Sequence, residues 1–142
     1  MEKSQEEVEG WDQYRLSLLG EKSMSDDHFE KYIIFIASGA LGLTITFIDK
    51  ISPLEKAIAI WVMALGWLSL TATLFVNLLS HYMASNNNAK TVQDIDDELE
   101  YDEIVENINK RNKKVSRLNL SSIITLGVGI LCILIYTTIN AY

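Results

Sequence analysis

The residues able to do chemistry in this 142-residue chain are concentrated outside its apolar stretches. Lys110, Arg111, Lys113, Lys114 and Arg117 fall together with no acid among them. Five cations at that spacing suit phosphate recognition. They fit anionic lipid heads, at about 1 kcal/mol per charge near the surface, or a nucleotide or single-stranded oligonucleotide held through its phosphates. Just upstream, eight acids between Asp94 and Glu106 have no base among them and read as a solvated face or a surface for a basic partner. His28 and His81 alone do not make a metal site, and the single cysteine, Cys132, supports neither a disulfide framework nor a cysteine-based zinc site. The apolar stretches hold no paired carboxylates, no serine–histidine arrangement and no histidine cluster. No catalytic residue, metal or cofactor is expected, and the chain does not read as an enzyme. Charged or titratable groups at membrane depth, which proton pumps and voltage sensors need, are missing as well.

The apolar stretches carry ordered polarity instead. Ser38, Gly42 and Thr46 recur every four residues. Gly66, Ser69, Thr73, Asn77 and Ser80 follow at steps of three, four, four and three, and Ser122, Thr125, Gly129, Cys132 and Tyr136 repeat the pattern. Such spacing places each set on one helical face. One reading is helix packing, in which small residues let backbones approach and hydroxyls bond across the contact. The other is a water-lined conduit formed by several copies. Ser38, Gly42, Thr46, Gly66, Ser122, Thr125 and Gly129 are assigned to packing. For Ser69, Thr73, Asn77 and Ser80 both readings stand, because an asparagine facing lipid is costly, and these four are the candidate pore-lining residues. Three helices cannot enclose a pore, so a conduit requires a symmetric homo-oligomer, with a tetramer as the working number.

The elements that position these residues follow from the charge pattern. Between Lys31 and Asp49 lie 17 residues without an acidic or basic side chain; between Lys56 and His81 lie 24; 25 follow Arg117. Each run approaches or exceeds the roughly 20 apolar residues that cross hydrocarbon as a helix. Three such runs leave too little chain to bury them in a soluble core. The expected fold is all-α, with a cytoplasmic N-terminal amphipathic segment over 1–28 and a first span over 29–48. A short external loop over 49–53 and a second span over 54–80 come next. A cytoplasmic loop and charged stalk over 81–117 leads into a third span with an external C-terminus over 118–142.

Local signals refine that outline. Met1 to Gly10 lacks the apolar core of a signal peptide. Val8, Trp11, Leu18 and Leu19 predict a surface helix over Glu6–Leu19 that stops at Gly20, and Ser25 with Asp26 and Asp27 predicts a new helix start. Lys50, Ser52 and Pro53 predict a turn, and Ser85 to Asn88 a second one. Thr91 and Asp94 read as a capping box opening a stalk that runs unbroken to Ile139, about 70 Å long. Val92, Ile95, Leu99, Ile104, Val105 and Ile108 offer it apolar contacts. Tyr32, Tyr82, Trp61, Tyr136 and Tyr142 read as interfacial anchors, and Trp67 as a packing element. Ten Lys or Arg lie in the N-terminal segment and second loop, two in the first loop and none in the tail. Basic residues are retained on the cytoplasmic side, which puts the N-terminus and stalk inside and the C-terminus outside.

The run Ser38-Gly39-Ala40-Leu41-Gly42-Leu43-Thr44-Ile45-Thr46-Phe47-Ile48, followed by Asp49 and Pro53 and by a span holding Trp67 and ending Leu79-Ser80, resembles a pattern in small bacterial membrane proteins. The resemblance covers Asp27 to Ser80 and points to transmembrane effectors of anti-phage defence of the Hailong type. It implies an oligomeric inner-membrane channel that depolarises an infected cell in abortive infection. It also implies a nucleotidyltransferase partner whose oligonucleotide product controls the channel. The expectation is a homo-oligomeric pore effector in a bacterial inner membrane under cytoplasmic control. The alternative is a non-conducting adaptor that anchors a cytosolic partner. A holin ranks lower because the chain ends in uncharged Thr137 to Tyr142.

Overall fold

The computed structural model describes residues 5–51 and 57–141. Among them every regular element is helical: α1 spans Gln5–Ile51, α2 Ile60–Asp96 and α3 Tyr101–Asn140. Each carries a stretch long and apolar enough to cross a membrane, so the chain reads as a multi-pass membrane protein. The turn expected at Ser52 and Pro53 lies outside the described residues, as do residues 54–56, Tyr142 and the side chains of Val8, Trp11 and Leu19. Asp49 and Lys50, read as loop, belong to α1, and α2 begins at Ile60.

The chain divides into two compact units after Tyr32. The first is helical from Gln5 onward, without the stop expected at Gly20 or the start expected at Ser25. A lone glycine costs a helix only about 1 kcal/mol relative to alanine, and the flanking Leu, Glu, Lys and Met residues are good helix formers. Tyr14, Leu16, Leu18 and Met24 are exposed in this unit, and His28 stacks on Tyr32 with ring centroids 6.2 Å apart.

The second unit is built on α2 and α3 packed antiparallel. On α2 the buried or half-buried positions include Met63, Gly66, Leu70, Thr73, Asn77, Ser80, Ala84, Asn87, Thr91 and Asp94. On α3 they include Ile104, Ile108, Arg111, Val115, Leu118, Ser122, Leu126, Gly129, Ile133, Tyr136 and Asn140. Steps of three and four alternate through nearly all of both series, which is the 3.5-residue repeat of a coiled coil. This register carries α2 straight through Ser85 to Asn88, where a turn was expected, and Thr91, expected to cap a helix, sits inside one. Its hydroxyl donates to the Asn87 carbonyl at 2.9 Å.

The chain reverses at Asp97–Glu100, so the expected unbroken stalk is a helical hairpin. The backbone amide of Glu98 bonds the Ile95 carbonyl at 3.0 Å, and that of Leu99 bonds the Asp94 carbonyl at 3.2 Å. This is the Schellman pattern that satisfies the last carbonyls of a helix, and Leu99 tucks in half-buried after it. The residue at its left-handed position is Glu98, with φ 56°, where glycine is the usual choice. Asp102 and Glu103 then occupy the first turn of α3, facing its positive end. At the opposite end of the pair, the Asn140 side chain grips Ile58 at two points, accepting from its amide at 2.8 Å and donating to its carbonyl at 3.0 Å.

The part of α1 in this unit presents Ile33, Ala37, Ala40, Leu41, Thr44 and Ile48 as its covered face. Trp67 Nε1 donates to Thr44 Oγ1 at 2.9 Å, so the deep tryptophan is a hydrogen-bonded strut. Glu98→Gly removes the Cβ clash that costs other residues roughly 1–2 kcal/mol in the left-handed region. After the larger unfolded-state freedom of glycine is subtracted, the variant is expected to be more stable by up to about 1 kcal/mol. Unfolding followed by circular dichroism in detergent checks this, and a loss of stability would refute the role of the turn.

Candidate functional site

The polar residues of the second stripe are enclosed between α2 and α3. Thr73 and Ser80 are fully buried and Asn77 is 1% exposed, while Ser69 is half-buried at the margin. Thr73 Oγ1 lies 2.8 Å from Thr125 Oγ1 and 2.9 Å from the Ser69 carbonyl. Thr125 directs its own hydrogen to the Ser121 and Ser122 carbonyls, at 3.0 and 3.2 Å, and so accepts from Thr73. Ser80 Oγ donates to Asn119 Oδ1 at 2.6 Å. In this structure the candidate pore-lining residues line an intrachain contact, where Thr73 and Ser80 are each bonded to a side chain of α3. Asn77 is the exception: its Nδ2 is buried without a hydrogen-bond partner.

Closer to Asn140 the contact becomes a glycine layer. A Cβ added at Gly66 would lie 3.2 Å from the Gly129 carbonyl and 3.3 Å from Cys132 Cβ. One added at Gly129 would lie 3.2 Å from the Gly66 carbonyl and 2.8 Å from Leu70 Cδ2. These two glycines and Ser122 are buried in the α2–α3 contact, and Thr125 is half-buried there. Tyr136, expected as an interfacial anchor, is instead fully buried, with its hydroxyl unpartnered; Tyr32, Tyr82 and Trp61 are exposed.

The first stripe has the opposite fate. Ser38, Gly42 and Thr46, expected to pack, lie on the exposed face of α1, and a Cβ added at Gly39 or Gly42 would meet nothing within 4 Å. The two hydroxyls fold back on their own helix, Ser38 to the Ile34 carbonyl at 2.6 Å and Thr46 to the Gly42 carbonyl at 2.7 Å.

The basic cluster is divided by the register of α3. Arg111 turns inward, donating from Nη1 to Thr91 Oγ1 at 3.1 Å and pairing through Nη2 with Asp94 at 2.8 Å. Both side chains of that pair are under a fifth exposed. Lys110 bridges the exposed Glu106 at 2.6 Å one turn earlier, whereas Lys113, Lys114 and Arg117 are exposed. Ile104, Val105 and Ile108 are half-buried in the hairpin; Val92 and Ile95 remain exposed. Among the described residues, no three His, Cys, Asp or Glu side chains converge as a metal site.

Sequence reasoning missed Thr44, Asn119 and Asn140, whose partners are brought together only by tertiary packing. It also placed Asp94 in a cap rather than opposite Arg111.

Two substitutions probe the contact. Asn77→Leu removes an amide whose unpartnered N–H group costs about 1–3 kcal/mol, so it is expected to leave stability unchanged or raise it. Gly66→Val pushes a branched side chain against the Gly129 carbonyl and is expected to cost about 1–3 kcal/mol. Unfolding titrations in mixed micelles read both, and the reverse ranking would show that the α2–α3 contact is assembled differently.

Comparison with protein-family models, curated proteins and solved structures finds no match to this chain.

Proposed function

We propose that copies of this chain assemble in a bacterial inner membrane into a pore governed from the α2–α3 extension, with that extension and the N-terminus cytoplasmic and the C-terminus outside. The distribution of Lys and Arg supports the orientation. The observation that carries the assembly is the uncovered face of α1 at Ser38, Gly39, Gly42 and Thr46. Small residues on a span let a second helix approach closely, and here, among the described residues, no atom lies within 4 Å of a Cβ added at Gly39 or Gly42. Because Thr73, Asn77 and Ser80 are already enclosed, the first stripe is the better source of polar lining in an assembly. Its hydroxyls, bonded to their own carbonyls, tolerate lipid before assembly and water after it. Membrane depolarisation during infection, as in the anti-phage effectors the chain resembles, is the corresponding physiological role.

The enclosure of Thr73, Asn77 and Ser80 also favours a second reading, an adaptor that presents the hairpin to a cytosolic partner without conducting. Conductance of purified protein in planar bilayers separates the two. The pore reading expects discrete conductance steps that Gly42→Leu abolishes while helix content is retained, since a Cβ added at Gly42 meets nothing within 4 Å among the described residues. Silence of the wild-type protein in the bilayer, or steps unaffected by Gly42→Leu, would overturn the α1-lined pore.

A further inference from the structure

We propose that the groove between the extensions of α2 and α3, lined by Asn87, Asn88, Thr91, Ile108, Arg111 and Asn112, binds a phosphate group. Its volume is ≈ 230 Å³, below the roughly 300–1,000 Å³ of sites for drug-sized ligands. It therefore suits a small headgroup-sized moiety. The lining consists of three side-chain amides, a hydroxyl, a guanidinium and one aliphatic side chain, with no carboxylate among them. Asn87 Nδ2 is buried without a hydrogen-bond partner. The guanidinium of Arg111 is fixed in the wall by Thr91 through Nη1 and by both oxygens of Asp94 through Nη2, and Nη1 carries a second hydrogen. An acceptor with several oxygens answers both the idle amide and the fixed guanidinium, and phosphate matches guanidinium geometry well.

The surroundings favour the same ligand. The exposed Lys113, Lys114 and Arg117 follow within two turns of α3, where they raise the local concentration of anions. Arg111 precedes Leu118, the start of the apolar run, by seven residues, or about 10 Å of helix. With the spans in a bilayer, the groove sits at the outer edge of the headgroup layer, within reach of a lipid phosphate or a water-soluble one. Asp94 holds Arg111 from behind, so its charge opposes the incoming anion while its hydrogen bonds set the guanidinium in place. The inference does not rest on the pore reading, since binding is measured without conductance.

The test is calorimetric titration of inorganic phosphate into the full-length protein in alkyl maltoside micelles, which hold no phosphate, with chloride at equal ionic strength as control. Saturable binding is expected. Arg111→Gln and Asn87→Leu should each weaken it at least about tenfold, while Asp94→Asn, which removes the opposing charge, should tighten it by roughly the same factor. Circular dichroism verifies the fold of each variant; should Arg111→Gln lose helix, Asn87→Leu decides. Nanodiscs containing phosphatidylglycerol distinguish the sources. If the lipid supplies the phosphate, the titration disappears there for the wild type and an immobilised lipid phosphorus signal appears that Asn87→Leu lacks. If the ligand is soluble, the titration persists in micelles and nanodiscs alike. Absence of saturable binding in the micelles, or binding that Asn87→Leu and Arg111→Gln leave unchanged, overturns the proposal.

Discussion

The α2–α3 contact is the constraint on which the rest of the second unit depends. It holds a 3.5-residue repeat from Met63 to Asp94 on one helix and from Ile104 to Asn140 on the other, roughly 50 Å at 1.5 Å per residue. Along that length its chemistry changes in layers. The layer nearest Asn140 is aliphatic and glycine-rich and brings the backbones to van der Waals contact at Gly66 and Gly129. The middle layer is hydroxyl and amide, and the last holds the Arg111–Asp94 pair. Only the first layer could exist in any apolar pair of helices. The other two demand this register, because sliding one helix by a residue would separate Thr73 from Thr125, Ser80 from Asn119 and Arg111 from Asp94 together.

That requirement ties the apolar part of the pair to its polar extension. Both halves of the hairpin are continuous helices through the boundary near Ser80 and Leu118, with no turn or glycine pair there to absorb a displacement. A change in the Arg111 layer is therefore resisted, or transmitted, by the same helices that carry Asn77. The buried amide of Asn77 is the weakest point of the middle layer, since its Nδ2 donates to nothing. A group of that kind in a dry contact costs free energy in this arrangement and gains it in any arrangement that supplies an acceptor, so it narrows the free-energy gap between this packing and such an alternative.

The three spans were legible in the sequence because charge is excluded from hydrocarbon-length runs irrespective of tertiary structure. The stripes were legible for the same reason: periodicity fixes a helical face. It does not name what the face meets. Thr73, Asn77 and Ser80 read equally well as lumen or as contact, and their burial against α3, with Thr73 on Thr125 and Ser80 on Asn119, comes into view only with the antiparallel pairing. Local signals misled where tertiary packing outweighed them. Asn86, Asn87 and Asn88 favour turns in isolation, yet Asn87 falls on the coiled-coil repeat and the helix continues. The true reversal carries no glycine or proline, because Glu98 occupies the left-handed position itself, so composition could not mark it. Asn140 was invisible for a different reason: its partner is the backbone of Ile58, and backbone groups leave no trace in residue type.

The same distinction explains the basic cluster, which looked uniform in sequence and is not uniform in space. Lys110, Arg111, Lys113, Lys114 and Arg117 share a charge, but the repeat places only Arg111 on the buried side, where it found Asp94 and Thr91. Arginine suits that position because a planar guanidinium can satisfy a carboxylate and a hydroxyl at once from a fixed geometry, whereas a lysine ammonium is a flexible point charge. The exposed lysines remain at the boundary, where screening by salt limits them to short-range attraction of anions. One helix thereby separates two environments that sequence alone merges: a directed, half-dry ion pair inside the hairpin, and exposed positive charge beside an apolar run.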